Sequence, residues 1–242
     1  MDAVRQLVLL GTTAFSPASI SNLTSWQRAD KDVYQDSGLT TPATADGDPV
    51  GGWVDQSGNG NHLVQSTGAS RPALKLAVVN GRNALRFDGV DDYFLRNVQS
   101  SDEYTIAVAL QFSGTGGLYY VLKNGTALNG HEMANNSGTF FLQNTAVAAQ
   151  SDGATGTDIA IWSGRRSNAD GADLRKDGAA RAITNPTAAI TSPTTQMLVG
   201  AYTGGLYPYL GDMCEICIWS RKLTDAEITL VESYLNLRWG AF

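Results

Sequence analysis

Between Tyr104 and Phe112 large and small side chains alternate without a break. Tyr104, Ile106, Val108, Leu110 and Phe112 share one parity, and Thr105, Ala107, Ala109 and Gln111 share the other. Successive side chains of a strand point to opposite faces, so the five large residues lie on one face. Burying each contributes about 1.5–3 kcal/mol. The pattern predicts a central strand whose second face, lined by small residues, is closely covered. Residues 84–87, 118–122, 139–143, 158–163, 197–201 and 213–219 read as further strands. They are punctuated by Asn80-Gly81, Asp88-Gly89, Asn124-Gly125 and Ser137-Gly138. Residues 174–176 and 179–183 flank Asp177-Gly178, the dipeptide of a type I′ hairpin. Residues 40–49 and 202–208 lack periodicity and read as loops.

The period changes once, after Trp219. Thr224 followed three residues on by Glu227 forms a capping box, and Leu223 and Ile228 are placed for a hydrophobic staple. Ile228, Val231 and Leu235 form one apolar stripe with Tyr234 beside it, and Gly240 ends the helix. The expected fold is therefore all-β, with one short C-terminal helix. No repeat or linker divides the chain, which reads as an N-terminal arm or edge strand over 1–20 and one domain over 21–242.

The most turn-rich stretch lies between Trp53 and Tyr93. It reads W-V-D-Q-S-G-N-G-N-H from Trp53, then N-G-R-N-A-L-R-F-D-G-V-D-D-Y from Asn80. Late in the chain come G-D-M-C-E-I-C-I-W-S-R-K-L-T-D-A-E from Gly211 and Y-L-N-L-R-W-G from Tyr234. In order and spacing these segments resemble concanavalin A-like lectin/glucanase domains of the laminin G-like type. The resemblance covers roughly residues 26–240. It implies a jelly-roll sandwich of two antiparallel sheets. It leaves function open, because this fold serves lectins, glycosidases, adhesion modules and virion proteins.

Composition narrows the choices. A chain of 242 residues is ample for one large sandwich, and 26 glycines suit a turn-rich one. A net charge of −6 and a pI near 4.8 argue against nucleic acid, which needs a basic footprint. No apolar run is long enough to span a membrane. The run Leu7-Val8-Leu9-Leu10 lacks the basic flank of a secretory signal and reads as part of the arm.

The candidate chemistry is sparse. Cys214 and Cys217 are three apart, which on a regular strand sends the thiols to opposite faces, as two buried free cysteines. Glycosidases of the resembled family carry alternating acids on one strand. Here Asp212 and Glu215 are three apart, and the partner position of Glu215 holds Cys217. On a regular strand the two acids do not share a face, so the chain is expected not to be an enzyme. His62 sits in a turn where a structural hydrogen bond accounts for it. Arg28 and Asp30 read as a locally bonded pair.

Asp55, Asn59, Asp88, Asp91 and Asp92 offer hard oxygens suited to calcium, the metal many domains of the resembled family hold. Turn locking accounts for Asp55, Asn59 and Asp88 without a metal, and no cofactor is expected. For a sugar, Tyr119, Tyr202, Tyr207 and Tyr209 offer flat faces with polar tips, and Tyr120 is a further candidate.

Two function classes follow. The first is a non-catalytic structural or attachment protein on a virion or cell-surface assembly, such as a phage head-decoration or tail component, that also contacts host glycans. Its expected partners are protein subunits, in a homo-oligomer or in a capsid or tail. The alternative is a carbohydrate-binding lectin module, and a glycoside hydrolase is the third reading. Such a chain is expected to be made in the cytoplasm without a signal peptide and to act on a virion or extracellular surface.

Overall fold

The computed structural model describes residues 15–97, 103–114, 116–124, 131–144, 147–150, 156–167, 169–182 and 196–242. The arm expected over the first residues therefore falls mostly outside the described residues. Along the chain run β1 (Leu23–Arg28), β2 (Val33–Tyr34), β3 (Gly52–Trp53), β4 (Leu63–Val64), β5 (Ala73–Val79) and β6 (Arg82–Asp88). Then come β7 (Phe94–Asn97), β8 (Tyr104–Phe112), β9 (Leu118–Asn124), β10 (His131–Asn136), β11 (Thr139–Asn144) and β12 (Val147–Gln150). The last strands are β13 (Ala160–Ser167), β14 (Gly171–Lys176), β15 (Ala179–Arg181), β16 (Gln196–Val199) and β17 (Leu210–Trp219), followed by helix α1 (Asp225–Trp239).

These strands form two antiparallel sheets packed as a β-sandwich. One has eight strands in the order β15-β14-β13-β8-β17-β6-β5, with β1 also paired to β17. The other has nine, in the order β12-β11-β10-β9-β16-β7-β4-β3-β2. Strand β8 is central, between β13 and β17. Its five large residues all enter the inter-sheet core, as the alternation predicts. Ala107 and Ala109 belong to a second core on the outer face, where Ile228, Val231 and Leu235 of α1 pack. Small residues on that face let the helix approach closely. No helix among the described residues is long and apolar enough to cross a membrane.

Turn chemistry fixes the hairpins. Asp177 and Gly178 have φ of 51° and 79°, and Asn80 and Gly81 have 47° and 70°. Both pairs are left-handed at both central positions, the requirement of a type I′ turn. Helix α1 has the full capping box: Thr224 Oγ1 accepts the Glu227 N–H, and Glu227 accepts the Thr224 N–H. Gly240 closes it with φ 69°.

Strand β17 departs from regularity. Met213 pairs with Leu110 and Glu215 with Ala109, so Cys214 is an extra residue, a β-bulge. At the bulge β17 also changes its second neighbour. Residues before it pair with β6, and residues after it pair with β1.

Candidate functional site

The two turn-rich loops are built differently. In residues 55–62 the Asp55 carboxylate is saturated. Its Oδ1 accepts the N–H groups of Trp26 and Ser57, at 2.8 and 2.9 Å. Its Oδ2 accepts the Ser57 hydroxyl at 2.7 Å and the Asn61 N–H at 2.9 Å. Asn59 donates its amide to the Leu23 carbonyl, and His62 Nδ1 accepts the Asp55 N–H. The loop is thus stapled to β1, and both oxygens of the Asp55 carboxylate are taken up by backbone N–H groups and the Ser57 hydroxyl.

In residues 88–92 three carboxylates converge instead. Oxygens of Asp88, Asp91 and Asp92 lie within 4.8 Å of one another. Asp88 Oδ1 accepts the Val90 N–H, and Asp92 Oδ2 accepts the Asp88 N–H. Asp92 is buried, and burial together with the charges of Asp88 and Asp91 pushes its pKa up to about 7. This group fits a hard cation by ligand type.

The candidate tyrosines separate into two environments. Tyr209 is fully buried in the inter-sheet core, 5.1 Å from the Phe112 ring and 5.6 Å from Phe87. Its hydroxyl donates to the Gln111 carbonyl, so it presents no surface to a ligand. Tyr119 also turns toward that core and packs against Phe112. Tyr202 and Tyr207 instead gather with Tyr120 on the outer face of the nine-stranded sheet. Ring centroids of Tyr120 lie 4.8 Å from Tyr202 and 6.1 Å from Tyr207. Phe141 meets Tyr120 edge-on at 6.2 Å.

The loop over 202–208 continues alongside β9. The Tyr120 N–H donates to the Tyr207 carbonyl at 3.1 Å, and Tyr202 N–H donates to Leu206 O at 2.7 Å. Tyr207 has φ 51°, a left-handed backbone that costs a non-glycine residue about 1–2 kcal/mol. Its side chain is 49% exposed and Leu206 is 57% exposed. Strain of this kind persists where the surrounding structure fixes it, and it gathers at ligand sites. Beneath the rings, Lys123 pairs with Glu132, both buried. Glu132 was not singled out from sequence, because a polar residue in H-E-M-A-N-N gives no strand signal.

On β17 the bulge overturns two expectations drawn from a regular strand. Met213, Ile216 and Ile218 face the inter-sheet core, whereas Cys214 and Cys217 both enter the outer core beneath α1. The thiols therefore share a face. Burial pushes both thiol pKa values well up, which makes them inert hydrophobes. Asp212 and Glu215 also share the outer face, but each is fully engaged. Asp212 takes a bidentate pair from Arg86, at 2.7 Å on both oxygens. Glu215, wholly buried, accepts four donors: Trp26 Nε1 at 2.6 Å, Tyr234 Oη at 2.9 Å, Trp239 Nε1 at 2.8 Å and Arg238 Nε at 3.0 Å. Asp30 receives Arg28, Arg82 and Arg238, so the Arg28–Asp30 pair belongs to a wider staple under the helix.

A polar groove of about 680 Å³ lies at the start of α1. Its cations are matched: Arg165 by Asp173 and Asp225, Arg175 by Glu232, and Lys222 by Asp173.

No protein-family model matches the sequence, and no curated protein sequence does either. Solved structures do share the fold. The binding domain of botulinum neurotoxin serotype D has a TM-score of 0.64 at 12% identity, over 93% of this chain and 56% of that one. The binding domain of Paraclostridial Mosquitocidal Protein 1 gives 0.64 at 11%, over 91% and 54%. Trypanosoma rangeli sialidase gives 0.61 at 10%, over 90% and 33%. The chain thus spans a little over half of the toxin domains and about a third of the sialidase chain. At these identities the likeness concerns the fold alone.

Proposed function

We propose that the protein is a non-catalytic carbohydrate-binding module of the concanavalin A-like type, with its ligand face on the 202–208 loop. One observation carries the reading: Tyr207 is held in a left-handed backbone, half exposed, over the rings of Tyr120 and Tyr202. Flat apolar rings with hydroxyl tips suit the C–H faces and hydroxyls of a sugar. The engagement of Asp212 and Glu215 supports the absence of hydrolysis. Neither carboxylate is free to act as acid or nucleophile across an open cleft. The toxin binding domains and the sialidase of the same fold are consistent with a binding role. Placement on a virion or cell-surface assembly rests on the sequence resemblance alone. The Asp88, Asp91 and Asp92 group would supply three hard oxygens to a calcium ion.

The test is a glycan array with the parent and Tyr207→Ala. The parent is expected to retain a defined set of glycans, and the variant to lose them while melting at the parent temperature. A parent that binds no glycan, or a variant that binds equally, refutes the reading. Release of reducing sugar from laminarin or lichenan, abolished in Glu215→Gln, would overturn the non-catalytic assignment.

A further inference from the structure

We propose that the buried Lys123–Glu132 pair positions the tyrosine platform, and that the platform so held takes neutral sugar faces in preference to acidic ones. This inference rests on the carbohydrate-binding reading of the 202–208 loop.

Lys123 and Glu132 stand opposite one another on β9 and β10. Lys123 is 0% exposed and Glu132 3%. A buried ion pair is a poor source of stability: apolar residues of similar volume often serve as well or better. Here each charge touches a different ring of the platform. Lys123 Nζ lies 5.2 Å from the centroid of Tyr202, a cation–π contact. Glu132 Oε2 accepts the Tyr120 hydroxyl at 3.2 Å. Two of the three rings are thus fixed by one pair, and the third is fixed through its backbone bond to Tyr120.

Two consequences follow for recognition. Burial and the neighbouring Glu132 charge push the Tyr120 phenol well above its ordinary pKa, so it stays protonated and donates to Glu132. Tyr120 itself is buried, so the ring surface offered to a sugar is that of Tyr202 and Tyr207 above it. The ammonium of Lys123 is matched by Glu132, so it is not offered to an incoming carboxylate. In a chain of net charge −6, a sialylated or uronic ligand would find at these rings, among the described residues, only a cation already matched by Glu132. Rings ordered in advance also spare the ligand the cost of ordering them on binding.

The experiment uses the full chain labelled with 3-fluorotyrosine, together with a printed array of matched neutral and sialylated glycans. The variant is Lys123→Met with Glu132→Leu, which keeps volume and removes both charges. Its melting temperature is expected to equal or exceed the parent's. The ¹⁹F resonances of Tyr120 and Tyr202, assigned through single Tyr→Phe variants, should lose their dispersion. Glycan binding should weaken about tenfold, equal to about 1.4 kcal/mol. Should the double variant not fold, Glu132→Gln removes the charge and keeps a hydrogen-bonding group, and the Tyr202 resonance is expected to move.

Unchanged ¹⁹F resonances in a folded variant overturn the positioning role. Tighter binding by the parent to sialylated members of the matched pairs overturns the neutral preference. An array blank for the parent defeats the carbohydrate reading, while the ¹⁹F spectra still decide whether the pair positions the rings.

Discussion

Replacing Glu215 by Gln should destabilise the protein severely without touching its exposed loops. The carboxylate is 0% exposed and joins β17 to β1 through Trp26 and to α1 through Tyr234, Arg238 and Trp239. Glutamine keeps one acceptor oxygen, enough for Trp26 and Tyr234. Its amide nitrogen then faces the N–H groups of Arg238 and Trp239, donor against donor. Breaking a buried pair by neutralising one partner costs about 3–5 kcal/mol. Arg238 retains Asp30 at 2.6 Å, which places the loss at the lower end, about 3 kcal/mol. For a domain of this length each kcal/mol moves the midpoint by about 2–4 °C, so Tm should fall by about 6–12 °C. Differential scanning calorimetry measures this directly. Thr224→Ala, which removes the helix cap, provides a scale, since losing such a cap costs about 1 kcal/mol. If Glu215→Gln melts no lower than Thr224→Ala, the four-donor staple does not hold the helix to the sheet.

Other outcomes follow from the same geometry. Val108→Asp places an unpaired charge in the inter-sheet core and should leave the protein unfolded by circular dichroism; a melt within a degree of the parent would contradict the centrality of β8. Asp92 has a folded pKa raised from 3.8 to about 7, so the protonated form favours folding. Its contribution is present below about pH 4 and is lost as pH rises through about 7. Asp92→Asn should therefore melt above the parent at pH 8 and with it at acidic pH, in a pH series of thermal melts. Asp55→Asn should lower Tm by the same amount in EDTA and in calcium, because its carboxylate accepts backbone N–H groups on both oxygens; a loss seen only in calcium would make Asp55 a ligand.

Elements were legible in the sequence where the two faces of a strand differ in kind. Strand β8 shows large residues against alanines, and both the inter-sheet core and the helix-covered face could be read from it. The capping box and the Asp177-Gly178 turn were equally plain, because their chemistry is local. Strand β10 was not legible. It buries Glu132 and Asn135 among its few apolar residues; Glu132 meets Tyr120 and Lys123 of β9, and Asn135 meets Gly117 as well as the adjoining turn at Gly138. The bulge at Cys214 carries no glycine or proline to announce it, yet it alone decides which way both thiols and Glu215 point. Among the tyrosines, Tyr119 and Tyr120 are adjacent, so one must face each side of β9, and residue type cannot choose between them. Tyr207 and Tyr209 share a parity, but the left-handed backbone at Tyr207 breaks the alternation and sends only one into the core.

The place of β17 bears on how the chain is made. Of the described strands it is the last in sequence, and it lies between β8 and β6 in the middle of its sheet. Beyond the bulge β1 replaces β6 along the same edge; Trp26 and Glu215, which bond across this junction, are 189 residues apart in sequence. Until residues 210–219 emerge, the described strands of this sheet form two separate halves, and β1 is held only by its bridge to the 55–62 loop. Closure is therefore a late, long-range event, of the kind that is slow because distant segments must meet before any contact rewards them. A nascent chain stalled short of β17 presents the facing edges of β8 and β6, a gap that a peptide spanning 210–242 is shaped to fill.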